Sequence, residues 1–450
     1  MKPRPPLPEG PFLVVGLARS GAAIAHLLRS RGERVIGVDS GEPGSAAGLG
    51  EAGVEVHVNE PGTDLLDEIR DEVKIVVKSP GVPQDAPVVA AAHERGIPVT
   101  GELELAWRAL PNRFIAVTGT NGKTTTTELI GHLLRSAGEP VAVAGNVGTP
   151  LAALVGEVEE EATIVCECSS FQLEDAEAFA PECSVFLNLA PDHLDRHGTV
   201  EEYLDAKLRI FANQGPGDIA VVNGAEPALA GIELPEGVQR VVFNPDGSGD
   251  GEMTIEAGEI RWHGEPLVLS AELHLLGPHN VANAMAAAAA ALAIGLPLDA
   301  VAEGLRSFEG VAHRLEPVRA LNGVLYVNDS KATNVAAALA AVNAFEGGIH
   351  LILGGQRKEE SLEPLAGAVA ERVVAIYLVG DAAEDFEQAL APTGIETRRA
   401  DGLNEAVALA AEKATAGQVV LLAPAAASFD TYPDFEARGE HFRRIVEALR

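Results

Sequence analysis

The chain has 450 residues, 47% of them apolar, and carries 66 acidic against 33 basic residues for a net charge of −33. That length and apolar content suit about three domains with ordinary cores and exclude a disordered chain, and no run approaches the roughly 20 apolar residues of a membrane span. So acidic a surface repels nucleic acid and anionic membranes, so neither is expected as a partner, and an anionic substrate must be captured by locally placed cations.

The first segments in chain order are a buried strand, PFLVVGL, a helix, SGAAIAHLLRSRG, closed by Gly32, and a second strand, RVIGVDS. KIVVKSPG and IPVTGELELA follow as apolar runs ending in turns. This alternation predicts a parallel, doubly wound sheet. Lys2 and Arg4 precede an apolar run that is short and leads into a glycine turn, not a cleavage site, so a cytoplasmic protein is expected. Gly16 and Gly21 make only part of a dinucleotide fingerprint. With Asp39 ending the second strand, they point to a nucleotide-like ligand at this sheet, not specifically to NAD.

A second unit opens at RFIAVTGT, with strands FIAVTG, PVAVAGN, ATIVCECSS and CSVFLNLA. From about 215 to 275, DIAVVNG, RVVFNP, GEIRWHG and EPLVLSAEL alternate with Gly, Pro and Asp, which predicts small antiparallel strands attached to that unit. An alanine-rich helix after His279 closes it. The third unit begins near GVAHRLEPV, with strands VLYVNDS, HLILGG, VAIYLVG and VVLLAP separated by helices, and reads as another doubly wound sheet. The expected fold is α/β in three domains: a Rossmann-like sheet at 1–109, a mononucleotide-binding domain with an antiparallel extension at 110–312, and a Rossmann-like domain at 313–450. Cys166, Cys168 and Cys183 read as buried apolar groups in a reducing compartment, with no disulfide framework.

The chemistry concentrates in a few motifs. VTGTNGKTTTTEL lacks the first glycine of the usual phosphate loop, where Val117 stands, but it follows a strand and precedes a helix, as such a loop must. Gly119 and Gly122 let backbone N–H groups turn toward an anion at a helix N-terminus. Lys123 can neutralise phosphate charge and Thr124 can ligate Mg²⁺. In ATIVCECSSFQLE, Glu167 faces away from the two thiols near a strand's carboxyl end, where coordination of Mg²⁺ gives it a purpose. His193, between Asp192 and Asp195, can ligate a metal or orient a substrate carboxylate. Lys207 lies on an amphipathic helix, where snorkelling to solvent is the plainer alternative. Only eight lysines occur in the chain, and four of them, Lys123, Lys207, Lys331 and Lys358, fall in motifs, which argues against chance placement. HRLE, VNDSKATN and LILGGQRKEE set His313, Arg314, Asp329, Ser330, Lys331, Thr333, Asn334 and Lys358 near strand ends, an anion-receptive edge.

Together TGTNGKTTT, ECSSFQLE, PDHLDRHG, DAKLRIF, GPHNVANA, HRLE, NDSKATN and SFDTYPDFEARGEHF resemble the Mur ligase family, ATP-dependent amino-acid ligases of peptidoglycan synthesis. The last four of these motifs suit its D-glutamate-adding branch. The resemblance implies UDP-N-acetylmuramoyl-L-alanine and D-glutamate as substrates of a monomeric enzyme working through an acyl phosphate, with ATP and two Mg²⁺ ions. It further implies that Gly119, Thr120, Asn121, Gly122, Lys123, Thr124 and Thr125 hold phosphates. Asn283, Arg314 and Asp329 would contact ATP, and Thr124, Glu167, His193 and an N-carboxylated Lys207 would hold metal. Ser20, Asp39, Ser79 and Gly81 would approach the uridine nucleotide and Asn146 the muramoyl side. Lys331, Thr333, Lys358, Ser428 and Phe435 would receive D-glutamate. The chain departs from the family pattern at Gln356-Arg357 before Lys358, in APAAASFD, which lacks a cysteine, and at Gly41, where an arginine is common. Two other classes compete: an NAD-dependent oxidoreductase, which leaves the phosphate loop, Glu167 and Lys207 unused, and a nucleotide-binding regulator without turnover. Another Mur-type or a folylpolyglutamate-type ligase is the nearer alternative.

Overall fold

The computed structural model describes residues 2–69, 72–356 and 361–450. The first sheet contains β1 (Phe12–Val15), β2 (Val35–Asp39), β3 (Glu55–Val58), β4 (Ile75–Lys78) and β5 (Val99–Gly101), all parallel, in the order β3-β2-β1-β4-β5. Its strands are apolar on both faces because helices cover both: Leu13 and Val15 pack in one core with Val88 and Val89, while Phe12 and Val14 pack in another with Ile24 and Leu28. The order reverses between β1 and β4, and ligands of open α/β sheets bind at such a switch point.

The run IPVTGELELA, expected to end in a turn, passes from β5 directly into a helix, Glu102–Ala109. The alternating Glu-Leu pattern mimics a strand's period of two, but glutamates and leucines alike are buried: Glu102, Leu103, Glu104 and Leu105 are each at most 1% exposed.

The central sheet holds β6 (Phe114–Thr118), β7 (Val141–Gly145), β8 (Thr163–Glu167), β9 (Cys183–Phe186), β10 (Ile219–Asn223), β11 (Gln239–Asn244), β12 (Met253–Glu256), β13 (Glu259–Trp262) and β14 (Glu265–Leu269), ordered β14-β13-β12-β11-β10-β9-β6-β8-β7. Strands β6 to β12 run parallel, and only β12-β13-β14 pair antiparallel. The segments DIAVVNG and RVVFNP, expected to be antiparallel, are therefore parallel strands continuing the main sheet. Their unbroken apolar runs suit burial on both faces, which the glycine and proline punctuation around them obscured.

These two sheets belong to one compact unit, Met1–Glu272 with Ala282–Ser307. They share one core, in which Trp107 meets Phe179 edge-on with ring centres 5.8 Å apart. Two charged groups buried between them have close partners: Lys78 Nζ lies 2.8 Å from Asp175 Oδ2, and Glu104 accepts from the backbone N–H groups of Glu177, Ala178 and Phe179.

A second unit, Leu273–Val281 with Phe308–Arg450, is built on β15 (Glu316–Leu321), β16 (Val324–Asn328), β17 (Ile349–Gly354), β18 (Val373–Val379), β19 (Glu396–Arg399) and β20 (Val419–Leu422). Their order is β15-β16-β20-β17-β18-β19, parallel except for the β15-β16 hairpin. Among the described residues no helix is long and apolar enough to cross a membrane.

Candidate active site

The phosphate loop joins β6 to helix Lys123–Ser136. Two glycines make the turn, Gly119 at φ +149° and Gly122 at φ +84°, conformations that a side chain resists. A Cβ on Gly122 would stand 2.1 Å from Asn283 Oδ1, so the loop and the expected ATP contact Asn283 are packed against each other. Val117 is fully buried in β6 with no role in the turn, which is why its position needs no glycine. The loop is also latched by residues the motif does not contain. Asn188 accepts from Asn121 N–H through Oδ1 at 2.9 Å and donates to the Asn121 carbonyl at 3.1 Å, while Thr120 N–H donates to the Asn188 carbonyl at 3.0 Å. Thr120 Oγ1 donates to the Ala190 carbonyl, and Thr125 is buried behind the loop. Asn188 sits just past a strand in CSVFLNLA; a polar residue at a parallel strand's carboxyl end was the available signal.

Thr124 and Glu167 come together: Thr124 Oγ1 donates to Glu167 Oε2 at 2.6 Å. The other carboxylate oxygen, Oε1, accepts from Asn146 Nδ2 at 3.1 Å. Gly145, at φ +122°, allows this approach, since a Cβ there would lie 2.3 Å from the Glu167 carbonyl. One carboxylate thus joins the phosphate loop to the loop after β7. Cys166 and Cys168, on the opposite side of the strand, are buried with sulfurs 3.6 Å apart.

Lys207, on helix Val200–Ala212, does not snorkel: it is 1% exposed and donates from Nζ to the Gly119 carbonyl at 2.9 Å. Burial, reinforced by the Lys123 cation, holds its pKa well below the usual lysine value. His193 is exposed, at φ +53°, with Nε2 3.6 Å from Asp192 Oδ2 and its ring edge-on to Phe171 at 4.9 Å. Both residues border Tyr203, Lys207 Nζ at 4.4 Å and His193 at 6.4 Å from the ring centre. Among the described residues no group of three or more His, Cys, Asp and Glu side chains forms a metal site. The donors still fit the expected groups: a threonine hydroxyl and a carboxylate suit a hard cation such as Mg²⁺, and an unprotonated amine, the form that burial favours at Lys207, is the one that can take up CO₂. Lys123 Nζ folds back onto the Gly119 and Thr120 carbonyls, 2.9 Å each.

At the switch point of the first sheet, Asp39 accepts from Leu17 N–H at 2.7 Å and Gly41 N–H at 2.9 Å. Ser79 Oγ donates to the Gly16 carbonyl at 2.7 Å, and a Cβ on Gly21 would strike that same carbonyl at 1.8 Å. Ser20, at the start of helix Arg19–Ser30, and exposed Gly81 flank this crevice. Arg196 of PDHLDRHG donates to the Pro80 carbonyl at 2.7 Å and stacks on Phe171, tying the 79–81 turn to the ring beside His193.

In the second unit, Asp329 is buried, accepts from Leu315 N–H at 3.1 Å and has its pKa pushed by burial to about 7, with Arg314 acting against the rise. Lys331 Nζ lies 3.7 Å over the Phe435 ring, and Thr333 N–H donates to the Lys331 carbonyl. Ser428 is buried, and its carbonyl accepts from the N–H groups of Thr431 and Tyr432. Lys358 lies outside the described residues.

A parallel sheet whose strand-to-helix loop carries a lysine and a threonine against a buried carboxylate defines a mononucleotide-binding α/β protein. The chain belongs to the Mur ligase family. Residues 11–101 match the MurD-like N-terminal domain of Mur ligases, 117–291 the Mur ligase middle domain, and 313–426 the Mur ligase glutamate ligase domain. It is 43% identical to UDP-N-acetylmuramoylalanine--D-glutamate ligase of Pelotomaculum thermopropionicum and 42% identical to that of Acidobacterium capsulatum. The match covers 97% of this chain in both comparisons, and 97% and 96% of those proteins. In fold it is similar to UDP-N-acetylmuramate-alanine ligase MurC of Thermotoga maritima, with a TM-score of 0.60 at 22% identity, covering 98% of this chain and 100% of that one. It is likewise similar to MurF ligase of the same organism in complex with ADP, with a TM-score of 0.58 at 20% identity, covering 86% and 92%.

Proposed function

We propose that the chain is an ATP-dependent ligase that adds D-glutamate to UDP-N-acetylmuramoyl-L-alanine in the cytoplasm, acting as a monomer of three functional domains at 1–109, 110–312 and 313–450. A carboxylate oxygen of the alanyl group attacks the γ-phosphorus of ATP, the bond to the β–γ bridging oxygen breaks, and ADP leaves. The D-glutamate amine then attacks the acyl phosphate carbon. The tetrahedral intermediate expels phosphate and loses a proton, leaving the amide.

The residue roles are part of the same proposal, and position supports them. Residues 119–125 receive the phosphates at the N-terminus of helix Lys123–Ser136, the Thr120 and Asn121 N–H groups being held by Asn188, and Lys123 moves from the Gly119 and Thr120 carbonyls to the phosphate charge. Asn283, packed on Gly122, borders the nucleotide, with Arg314 and Asp329 as further ATP contacts. Thr124 and Glu167 would hold Mg²⁺, with His193 and an N-carboxylated Lys207 holding a second ion. Such ions supply neutralisation of the charge that gathers during phosphoryl transfer. Ser20, Asp39, Ser79 and Gly81 accommodate the uridine nucleotide. Lys331, Thr333, Lys358, Ser428 and Phe435 bind D-glutamate.

The strongest support is the Glu167 carboxylate, which accepts from Thr124 on one oxygen and Asn146 on the other. That the phosphate loop and the loop carrying Asn146 share one acidic group supports a reaction in which a carboxylate and a γ-phosphate have to meet. The test is phosphate release from ATP with UDP-N-acetylmuramoyl-L-alanine and a panel of D- and L-amino acids. D-glutamate alone should stimulate turnover; stimulation by another amino acid and none by D-glutamate would defeat the assignment.

A further inference from the structure

Arg438 is buried, 3% exposed, near the start of helix Phe435–Ala448, and none of the proposed roles uses it. Its guanidinium bonds to the ends of three strands at once. Nε donates to Ser330 Oγ at 3.0 Å and Nη2 to the Ser330 carbonyl at 2.9 Å, beyond β16. Nη1 reaches the carbonyls of Ala426 at 3.1 Å and Ala427 at 3.3 Å, beyond β20, and that of Gly354 at 3.5 Å, ending β17. Ser330 Oγ in turn donates to the Phe435 carbonyl at 2.8 Å. Gly355 leaves room for the arrangement, since a Cβ there would meet the Ala427 carbonyl at 2.2 Å and Arg438 Nη1 at 3.0 Å.

We propose that Arg438 is a positioning residue for the amino-acid substrate, gathering the turns that carry Lys331 and Ser428 into one anion-binding edge. A planar fork with five donors can hold several carbonyls in fixed directions, which a lysine cannot. Those carbonyls point at the guanidinium, so their negative ends are held under the sheet edge and away from a dicarboxylate. Among the described residues the guanidinium's hydrogen-bond partners are carbonyls and one hydroxyl, with the Asp430 charge acting on it without a bond, so a positive charge lies directly beneath that edge. Arg438 makes no contact with substrate in this role. It acts through the placement of Lys331, Phe435 and Ser428.

This rests on D-glutamate being the amino acid bound, so wild-type amino-acid dependence is measured first, and the KM of whichever amino acid is used becomes the readout. If that amino acid is not D-glutamate, the proposed function falls while the positioning role is still tested. Arg438→Lys, which keeps the charge and loses the fork, should raise that KM at least tenfold. The KM for UDP-N-acetylmuramoyl-L-alanine should stay within twofold of wild type and that for ATP within threefold. Ser330→Ala, which removes the hydroxyl's bonds to Arg438 Nε and the Phe435 carbonyl but keeps the guanidinium and its carbonyl partners, should raise the amino-acid KM by a smaller factor, and guanidinium ion should partly restore Arg438→Ala. An unchanged amino-acid KM in Arg438→Lys overturns the proposal. So does an equal rise in all three KM values, or failure of both the Arg438→Lys and Ser330→Ala proteins to fold, which would make Arg438 a general support of the fold.

Discussion

Lys207 donates to the Gly119 carbonyl at 2.9 Å, so a lysine 88 positions along the chain holds the first glycine of the phosphate loop. Its amine is buried beside Lys123, and both surroundings favour the unprotonated form. Lys207→Ala should abolish ligation, and bicarbonate should not restore it, because no amine remains to be carboxylated. Small carboxylic acids should partly rescue the cavity. In the wild type, a carbamate carbon signal should appear in NMR with ¹³C-bicarbonate and be absent from the variant; a wild type without it leaves Lys207 as a loop anchor only.

Lys123 donates to two carbonyls of its own loop, at 2.9 Å each, and these are the contacts it would exchange for phosphate oxygens. Lys123→Ala removes the cation opposing charge in the transferring phosphoryl group. Loss of one such electrostatic contact costs about 10²–10³ in rate, so phosphate release should fall by at least that factor while melting behaviour stays near wild type. Wild-type turnover in the variant would remove the loop from the chemistry.

Much of this site can be read in the sequence because its parts are local. A strand, two glycines, a lysine and a helix within a dozen residues specify the phosphate loop, and Thr124 is fixed by its place in the first helical turn. Glu167 and Lys207 can be singled out as charges in apolar surroundings, but not their partners, since bonds to Asn146 and Gly119 span 21 and 88 positions. The partners of Asn188 and Arg438 are hidden for the same reason: both side chains act on backbone atoms brought near by the sheet, and backbone groups have no sequence signature. The helix Glu102–Ala109 is hidden in a run that reads as ending in a turn, because its alternation of Glu and Leu reflects two unrelated requirements, a core contact and a bond to backbone amides of other segments. The parallel pairing of β10 and β11 depends on long-range register that turn residues cannot report.

Glu104 is fully buried between the first two sheets, with Oε1 accepting from Arg108 Nε at 2.7 Å and its two oxygens sharing three backbone N–H groups at 2.9 to 3.1 Å. Glu104→Ala leaves those donors without an acceptor and the mostly buried Arg108 without its nearest partner. Breaking a buried ionic network in this way destabilises by about 3–5 kcal/mol, and the loss should appear as a lower denaturant midpoint at unchanged m-value. Glu104→Gln keeps one acceptor oxygen and should lie between. A shift under about 1 kcal/mol in the alanine variant would show that water or rearranged side chains satisfy the three amides.

Glu102 gives the pH-dependent counterpart. It is buried, its Oε1 accepts from Ala152 N–H at 2.7 Å, and its Oε2 has no hydrogen-bond partner among the described residues. Burial pushes its pKa from 4.5 up to about 7, against the pull of the Ala152 and Leu151 amides. Between those values the folded chain binds more protons than the unfolded one, so this group's contribution is complete below about pH 4.5 and is lost as pH rises through 7. Glutamine keeps the acceptor and never ionises. Glu102→Gln should therefore match the wild type near pH 5 and exceed its stability at pH 8.5 by roughly 1–3 kcal/mol, the order expected for such a shift. Denaturant titrations of both proteins at the two pH values measure the difference and cancel titration elsewhere, including that of Asp329. A pH-independent difference would mean that Glu102 is ionised in the folded chain throughout, with its second oxygen hydrated.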